Sequence, residues 1–205
     1  PDVVLMTGGY VAAPVAWAAW RARPRVPILI YLPDITPGMA IRVTSRLADK
    51  VAVSFPEVTR WFPGKAVVTG YPVRPELGNI TRREARLSLG LNDELPVLLV
   101  FGGSQGARVF SDVVPEAIAL IDEPLRRRLV VTQQAREEDL ERVTDRYRSA
   151  RVNVELAAFF DDLPERIANS HLVIGRAGAS TVAELTVIGR PSILVRLPGS
   201  LDQDQ

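Results

Sequence analysis

The stretch from His171 to Leu197 constrains the fold of this chain more than any other. An apolar run, His171 to Gly175, leads into a turn of small residues around Gly178 and then into an amphipathic helix that ends near Gly189. A second apolar run follows, from Ser192 to Leu197. Strand, turn, helix and strand form a βαβ unit, which requires a parallel sheet. Open parallel sheets bind ligands at the carboxyl ends of their strands, so the Gly178 turn marks a candidate site.

Glu184 has two competing interpretations in this unit. In the first, Thr181 caps the helix and Glu184, three residues later, completes a capping box in which each side chain bonds the other's backbone amide. In the second, Glu184 is a carboxylate near the ligand crevice that accepts hydrogen bonds from sugar hydroxyls. The local sequence favours the cap.

Short apolar runs alternate with helical segments along the rest of the chain. Strands are predicted at 3–7, 28–31, 51–54, 66–69, 97–101, 129–132 and 152–156. This alternation predicts an α/β fold with parallel, doubly wound sheets. A segment rich in proline and glycine, 70–79, interrupts the pattern. We therefore predict two Rossmann-like halves, 1–74 and 81–205, joined by a linker at 75–80.

Composition excludes several kinds of protein. The 205 residues include no cysteine and one histidine, which excludes disulfides, thiolate metal sites and a histidine-rich metal centre. No apolar run is long enough to span a membrane. The net charge of +1 argues against nucleic acid as a partner. The chain begins as if inside a domain, so we expect it to belong to a longer protein.

The turn from Gly102 to Ala107 lies between an apolar strand and a helix. Its backbone amides and the helix dipole suit an anion such as a phosphate, and Ser104 adds a hydroxyl donor. The alternative is a tight turn that binds nothing, and the same two interpretations apply to Gly8 and Gly9.

Three other residues stand out in the sequence. Trp17 and Trp20 share one face of a helix, where they fit either the core or, beside the arginines that follow, a membrane interface. His171 begins a strand, so we assign it a structural role.

Four motifs occur in the order in which the MurG family has them. They are Gly8-Gly-Tyr-Val, Val68-Thr-Gly-Tyr-Pro-Val-Arg74, Gly102-Gly-Ser-Gln-Gly-Ala-Arg108 and Arg176-Ala-Gly-Ala-Ser-Thr-Val-Ala-Glu184. The chain resembles this family over essentially its whole length. The resemblance implies a GT-B fold, with two Rossmann-like domains facing each other across a cleft. It also implies that 1–74 is part of the acceptor and membrane side and that 81–205 binds the donor.

The resemblance assigns roles to individual residues. It makes Glu184 the carboxylate that holds the ribose of UDP, which now favours the second interpretation of this residue. The donor-binding residues that it implies are Arg74, Gly103, Ser104, Gln105, Gly106, Arg176, Gly178, Ala179, Thr181, Glu184 and Gln205. The acceptor-binding residues that it implies are Gly8, Gly9, Tyr10 and Asp34.

The implied activity is that of an inverting hexosyltransferase without a metal or cofactor. It would move N-acetylglucosamine from UDP-N-acetylglucosamine to lipid I, an undecaprenyl-pyrophosphate-linked acceptor, to form lipid II for peptidoglycan. The enzyme would lie peripherally on the cytoplasmic face of the bacterial plasma membrane, against an anionic surface. We expect its general base upstream of Pro1, with Asp34 as the candidate within the chain.

Three departures from the family pattern keep two alternatives open. The family usually has His-Glu-Gln-Asn where this chain has Tyr31-Leu-Pro-Asp34, and Tyr71 and Asp204 also replace its usual residues. One alternative is a glycosyltransferase that acts on another glycolipid. The other is a non-catalytic module that binds a nucleotide sugar.

Overall fold

The chain forms two compact α/β units. The computed structural model describes residues 1–90, 95–103 and 107–197. Within this part, the units are Pro1–Pro72 and Val73–Leu197, and each contains a sheet in which all described strand pairs are parallel. The predicted α/β class with two parallel sheets is confirmed.

The first unit has a four-stranded sheet in the order β1-β2-β3-β4. Its elements are β1 (Val4–Met6), α1 (Ala12–Arg21), β2 (Ile28–Leu32), α2 (Met39–Thr44), β3 (Lys50–Val53), a 3₁₀ helix (Pro56–Trp61) and β4 (Ala66–Val68). Every second residue of β2, namely Ile28, Ile30 and Leu32, points into the core with almost no exposed surface. They belong to one apolar cluster with Ala16 of α1 and Ile41 of α2, which fixes both helices against the sheet.

The second unit has a five-stranded sheet in the order β7-β6-β5-β8-β9. Its elements are a 3₁₀ helix (Pro75–Asn79), α3 (Arg82–Ser88), β5 (Val97–Phe101), α4 (Arg108–Ala119), α5 (Glu123–Arg128), β6 (Val130–Gln134), a 3₁₀ helix (Glu137–Asp139), α6 (Leu140–Ser149), β7 (Asn153–Ala157), α7 (Leu163–Asn169), β8 (Leu172–Arg176), α8 (Ala179–Ile188) and β9 (Ser192–Val195). The chain runs outward from β5 through β6 and β7, then returns to the other side of β5 as β8. The strand order therefore changes direction between β5 and β8, where α/β sheets open a crevice.

The central strand β5 is buried along its whole length. Leu98 and Val100 join the apolar cluster of α4 and α6, whereas Leu99 and Phe101 join the cluster that includes Leu185 of α8. Alternate side chains of a strand point to opposite faces, so a strand covered by helices on both faces must be apolar throughout. This accounts for the continuous apolar run in the sequence.

Three segments differ from the predicted elements. Residues 75–79, predicted as a linker, form a 3₁₀ helix that packs against α8, where a Cβ on Gly78 would lie 4.0 Å from Val187. Proline at its first position presets the backbone for this turn. The helices α5 and α7 were not predicted, because each is shorter than the windows in which helical periodicity is measured.

The predicted capping box at Thr181 is wrong. Helix α8 begins at Ala179, and its N-cap is Gly178 in an extended conformation with φ −71° and ψ 149°. Thr181 is therefore already inside the first turn, where its hydroxyl cannot cap the helix. A capping box is present instead at Thr81, whose hydroxyl accepts a hydrogen bond from Glu84 N–H at 3.2 Å while the Glu84 carboxylate accepts one from Thr81 N–H.

The described ranges contain neither a helix that could span a membrane nor a cluster of metal-binding side chains. No helix there has both the length and the apolar character that a membrane span needs. Nor do three side chains of the metal-binding types His, Cys, Asp and Glu gather around a common point in that part of the chain.

Candidate functional site

A pocket opens at the carboxyl end of the second unit's sheet, beside the point where the strand order reverses. Its volume is about 240 Å³. Its lining residues come from the end of β5, the end of β6, the segment after β7 and the first turns of α8. They are Phe101, Gly103, Gln134, Phe159, Phe160, Leu163, Thr181 and Glu184. Four separate stretches of sequence thus meet where a parallel sheet binds its ligand.

The glycine turn after β5 contributes Gly103 to this pocket. Gly103 has φ +87°, in the left-handed region that only glycine adopts without strain. The next described residue, Ala107, is the extended N-cap of the twelve-residue helix α4. The first amides of such a helix have no intrahelical partner and attract anions. The predicted residues Ser104, Gln105 and Gly106 lie outside the described residues, as does Gln205.

Glu184 lies on α8 and lines the pocket. Its side chain keeps 23% of its surface exposed, and Oε1 lies 3.8 Å from Nη2 of Arg74. Arg74 is itself 61% exposed, so the pair is a loose surface contact that leaves carboxylate lone pairs available. With the capping box excluded, the carboxylate is positioned by the helix but is not needed to begin it. Arg74 and Glu184, both predicted donor-binding residues, are brought together.

The other predicted residues of this motif have different positions. Thr181 lines the pocket, while Gly178 and Ala179 form the start of α8. Arg176 ends β8 and is not among the lining residues. Its Nη1 donates to the carbonyl of Arg196 at 2.8 Å, and its guanidinium lies 5.1 Å from the centre of the Phe110 ring. Arg176 therefore links the end of β8 to the segment after β9 and to α4.

Five lining residues were not predicted from the sequence: Phe101, Gln134, Phe159, Phe160 and Leu163. Gln134 is a polar residue at the end of a buried strand, a pattern that could have marked it. Phe159 is 64% exposed, unlike its buried neighbour Phe160, and offers an aromatic face at the pocket. An exposed aromatic ring beside a carboxylate and a glycine turn suits a ligand with a planar base and a sugar.

A larger groove of about 390 Å³ lies between α4 and α6. It is lined by helix surface residues such as Pro115, Ala119 and Ser149, and it contains neither a glycine turn nor a strand end. Arg146 at its wall is paired with Glu116 at 3.4 Å. The groove lacks the features that suit a nucleotide sugar.

In the first unit, Gly8, Gly9 and Tyr10 follow β1 at the carboxyl edge of the sheet. Gly8 and Gly9 have φ of +109° and +83°, so both positions require glycine. A Cβ on Gly8 would also approach the side chain of Ile41 to 3.1 Å. Tyr10 is 86% exposed. The turn brings backbone amides to the same kind of edge that the second unit uses.

Tyr31 and its neighbours form a second cluster at this edge. The Tyr31 hydroxyl lies 2.9 Å from Ser54 Oγ at the end of β3, and its ring meets Tyr71 edge-on with centroids 6.4 Å apart. Burial raises the pKa of Tyr31, and the charge of Asp34 and the neighbouring Tyr71 raise it further, against the Ser54 hydrogen bond. Two residues that depart from the family pattern, Tyr31 and Tyr71, are thus in contact.

The tryptophans of α1 are exposed to solvent. Trp17 and Trp20 keep 55% and 43% of their surface, and Val15 on the same helix keeps 48%. The Arg21 guanidinium lies 5.2 Å from the Trp17 ring centre. Of the two interpretations of this pair, core packing is therefore wrong for the first unit.

His171 has a structural position at the amino end of the second sheet, away from the pocket. The Val97 N–H donates to its Nδ1 at 3.0 Å, and Arg82 contacts its Nε2. Burial lowers the pKa of His171, and the positive charges of Arg82, Arg86 and Arg190 lower it further.

Comparison with known proteins identifies relatives over the whole chain. Residues 97–205 match the model of the glycosyltransferase family 28 C-terminal domain. Proteins from Nitrobacter hamburgensis and Rhodospirillum centenum are 46% and 48% identical over all of this chain. Both are named UDP-N-acetylglucosamine–N-acetylmuramyl-(pentapeptide) pyrophosphoryl-undecaprenol N-acetylglucosamine transferase. This chain spans 55% and 54% of their lengths.

A solved structure agrees with these matches. The crystal structure of MurG from Acinetobacter baumannii aligns with the whole chain and with 55% of its own, with a TM-score of 0.78 and 27% identity. The predicted resemblance to MurG and the GT-B class of fold are confirmed. The chain therefore belongs to glycosyltransferase family 28.

Proposed function

We propose that this chain is part of an inverting glycosyltransferase that takes N-acetylglucosamine from UDP-N-acetylglucosamine. The observation that carries the proposal is the pocket where Gly103, Phe159 and Glu184 meet. A glycine turn for phosphate, an aromatic ring for a base and a carboxylate for a sugar diol match the parts of a nucleoside diphosphate. The relatives are named as N-acetylglucosamine transferases, which supports the same function.

Each part of the donor has a proposed partner in the predicted donor-binding half, 81–205, or in Arg74 just before it. The Glu184 carboxylate accepts hydrogen bonds from the ribose hydroxyls, and the exposed face of Phe159 stacks on the uracil. Backbone amides of the glycine turn, with Ser104, Gln105 and Gly106, surround the diphosphate. Gln205 contacts the sugar. The backbone amides of Gly178 and Ala179, at the start of α8, and the positive charge of Arg74 further stabilise the bound diphosphate.

The first unit is proposed to bind the acceptor, through Gly8, Gly9, Tyr10 and Asp34. An acceptor hydroxyl oxygen attacks the anomeric carbon, the bond from that carbon to the diphosphate oxygen breaks, and UDP leaves with the electron pair. The hydroxyl proton passes to a general base, for which Asp34 is the candidate in this chain. Charge that builds on the diphosphate is stabilised by the amides and dipole of the glycine turn.

The acceptor is proposed to be lipid I, reached from the cytoplasmic face of the plasma membrane. The exposed face of α1 supports this, because Trp17 and Trp20 stand beside Arg21 and near Arg23 and Arg25. Aromatic rings suit the level of lipid headgroups, and arginines are attracted to anionic lipids.

A second candidate function is transfer to a different glycolipid. The contact between Tyr31 and Tyr71 favours it, because two residues at the acceptor edge have changed together relative to the family pattern. Assaying UDP release from the full-length protein with lipid I and with other polyprenyl-linked sugars would separate the candidates. Binding of UDP-N-acetylglucosamine with no release on any acceptor would instead support the non-catalytic module.

The donor proposal is tested by replacing Glu184. We expect Glu184→Ala to weaken UDP-N-acetylglucosamine binding by about 1.5–3 kcal/mol, the range for hydrogen bonds to a charged group. Because the Arg74 contact is loose and no cap is lost, unfolding free energy should change by less than about 0.5 kcal/mol. Isothermal titration calorimetry of the full-length protein measures the first effect, and urea unfolding measures the second.

Glu141, an exposed glutamate on α6, provides the matched control. Glu141→Ala removes the same carboxylate from a helix of the same unit and should leave donor affinity unchanged. Full donor affinity in a folded Glu184→Ala protein would remove this residue from the site.

A further inference from the structure

Gln134, at the end of β6, joins two loops that line the donor pocket. Its side chain is buried, with 6% of the residue exposed. The backbone N–H of Gly102 donates to Oε1 at 3.3 Å, and Nε2 donates to the carbonyl of Ala158 at 3.0 Å. Gly102 directly precedes Gly103 of the glycine turn, and Ala158 directly precedes Phe159. One amide thus contacts the chain next to both of these lining residues.

The amide continues the hydrogen bonding of the sheet past the ends of its strands. Registered pairing of β5 with β6 stops at Val100 and Gln133, and that of β6 with β7 stops at Gln134 and Ala157. Beyond these points each loop leaves the sheet, and backbone pairing alone no longer sets the distance between them. The Gln134 side chain hydrogen-bonds to the backbone of both loops, at Gly102 on one side and Ala158 on the other.

Only an uncharged amide of this length satisfies both neighbours. One side presents an N–H and needs an acceptor, while the other presents a carbonyl oxygen and needs a donor. Glutamate would place a carboxylate oxygen against the Ala158 carbonyl, and leucine would fill the space without either bond. Both bonds are partly buried, and a partly buried N–H or carbonyl that loses its partner is costly, so either change should move the loops.

We propose that Gln134 is a positioning residue of the donor site, which sets the separation between the diphosphate-binding turn and the base-binding ring of Phe159. The inference rests on the proposed function, since it assumes that the two loops bind opposite ends of one nucleotide. A ligand that spans both loops gains from their correct spacing, whereas a ligand that contacts one loop does not.

The test compares UDP, which spans both loops, with uridine, which lacks the diphosphate. We expect Gln134→Leu and Gln134→Glu in the full-length protein to raise the Kd of UDP about tenfold, as for two lost hydrogen bonds. The Kd of uridine should change less than about twofold. A general loss of folded protein would weaken both ligands equally, so the ratio of the two constants separates positioning from stability.

Gln133 provides the control on the same strand. It is fully buried on the opposite face, where its Oε1 accepts a hydrogen bond from the Tyr147 hydroxyl at 2.5 Å. Gln133→Leu removes a buried amide without touching either loop and should leave the ratio of UDP to uridine affinity at its wild-type value.

The outcomes also separate this inference from the proposed function. Wild-type protein that does not bind UDP would refute the donor site itself. Normal UDP binding in wild type and in both folded Gln134 variants would leave the site intact and overturn only the role of Gln134. Equal weakening of UDP and uridine would overturn it as well.

Discussion

His171 makes the second unit sensitive to acid. Its Nδ1 accepts a hydrogen bond from Val97 N–H, so a proton on that nitrogen would break the bond. It would also add a positive charge beside Arg82, Arg86 and Arg190. Burial is the largest cause of the lowered His171 pKa, and these three positive charges lower the pKa further. The unfolded chain has no such penalty and takes up the proton more readily.

We therefore expect the unfolding free energy to fall as the pH drops below about 6.5, the ordinary histidine pKa. The loss should continue until the pH passes the lowered pKa of the folded state. Above pH 6.5 both states are neutral at His171, so the stability is fully present there. Urea unfolding at pH 7.5, 6.5 and 5.5 measures the slope of the unfolding free energy against pH.

His171→Asn is the comparison protein, because its Oδ1 can accept the same hydrogen bond without taking up a proton in this range. The chain has no other histidine. The slope between pH 6.5 and 5.5 should therefore be shallower in the variant. Parallel curves for the two proteins would contradict a lowered pKa at His171.

At the scale of elements, two similar motifs begin two helices in different ways. Thr81-Arg-Arg-Glu84 forms a full capping box at α3. The hydrogen bonds that Thr81 donates to the Glu84 carboxylate lower the pKa of Glu84. Thr181-Val-Ala-Glu184 has the same spacing but lies inside α8, which Gly178 begins. Gly178, three residues ahead of the second motif, accounts for the difference. Glycine accepts the extended N-cap conformation readily, so the helix begins before Thr181.

These motifs predict unequal effects of the same substitution. Thr81→Ala should destabilise the second unit by about 1 kcal/mol, the usual loss for an N-cap. Thr181→Ala removes no cap and should change the unfolding free energy by less than about 0.5 kcal/mol. Urea unfolding monitored by far-ultraviolet circular dichroism compares the two. Equal losses would mean that the cap at α3 contributes nothing specific.

Helix α1 carries the prediction about membranes. We expect the protein to sediment with anionic vesicles, less so as salt is added, because screening weakens attraction between exposed charges. Replacing Trp17 and Trp20 together by alanine should lower vesicle binding at least about tenfold, since burying a large apolar side chain contributes about 1.5–3 kcal/mol. Both rings are exposed, so the variant should remain folded.

Trp61 gives the control for this experiment. It is also exposed, but it belongs to the 3₁₀ helix Pro56–Trp61 and stacks against Arg42 at 4.7 Å. Trp61→Ala should retain vesicle binding. The same loss with Trp61→Ala as with the α1 variant would exclude a specific role for α1.

The order of elements could be predicted from the sequence, but the partners of individual side chains could not. The run Val97 to Phe101 predicted β5 with its observed bounds, because five apolar residues between turn signals leave little choice. Gln134 gave only a weaker signal, a polar residue at the end of an apolar run, and Phe159 gave none. They reach the pocket only because β6 and β7 pair in register beside β5, and such long-range pairing is not encoded in local periodicity.

For the whole molecule, the division into two units predicts which backbone amides a bound donor nucleotide protects from hydrogen exchange. If the second unit alone binds UDP, hydrogen exchange should slow around Gly102 and Gly103, Ala158 to Phe160, and the first turns of α8. Amides of Pro1–Pro72 should exchange at unchanged rates. Mass spectrometry of the full-length protein with and without UDP measures both. Protection confined to the first unit would reverse the assignment of the two units.

The described pocket draws all of its lining from one uninterrupted stretch of chain, Phe101 to Glu184. A single crossover between genes, placed near Val73, would therefore transfer these lining residues together while replacing Pro1–Pro72. If this pocket binds the donor as proposed, enzymes that share a nucleotide sugar but differ in acceptor can arise by such recombination without rebuilding it. For the engineer, the boundary at Pro72 and Val73 is accordingly the first place to join this half to a foreign partner.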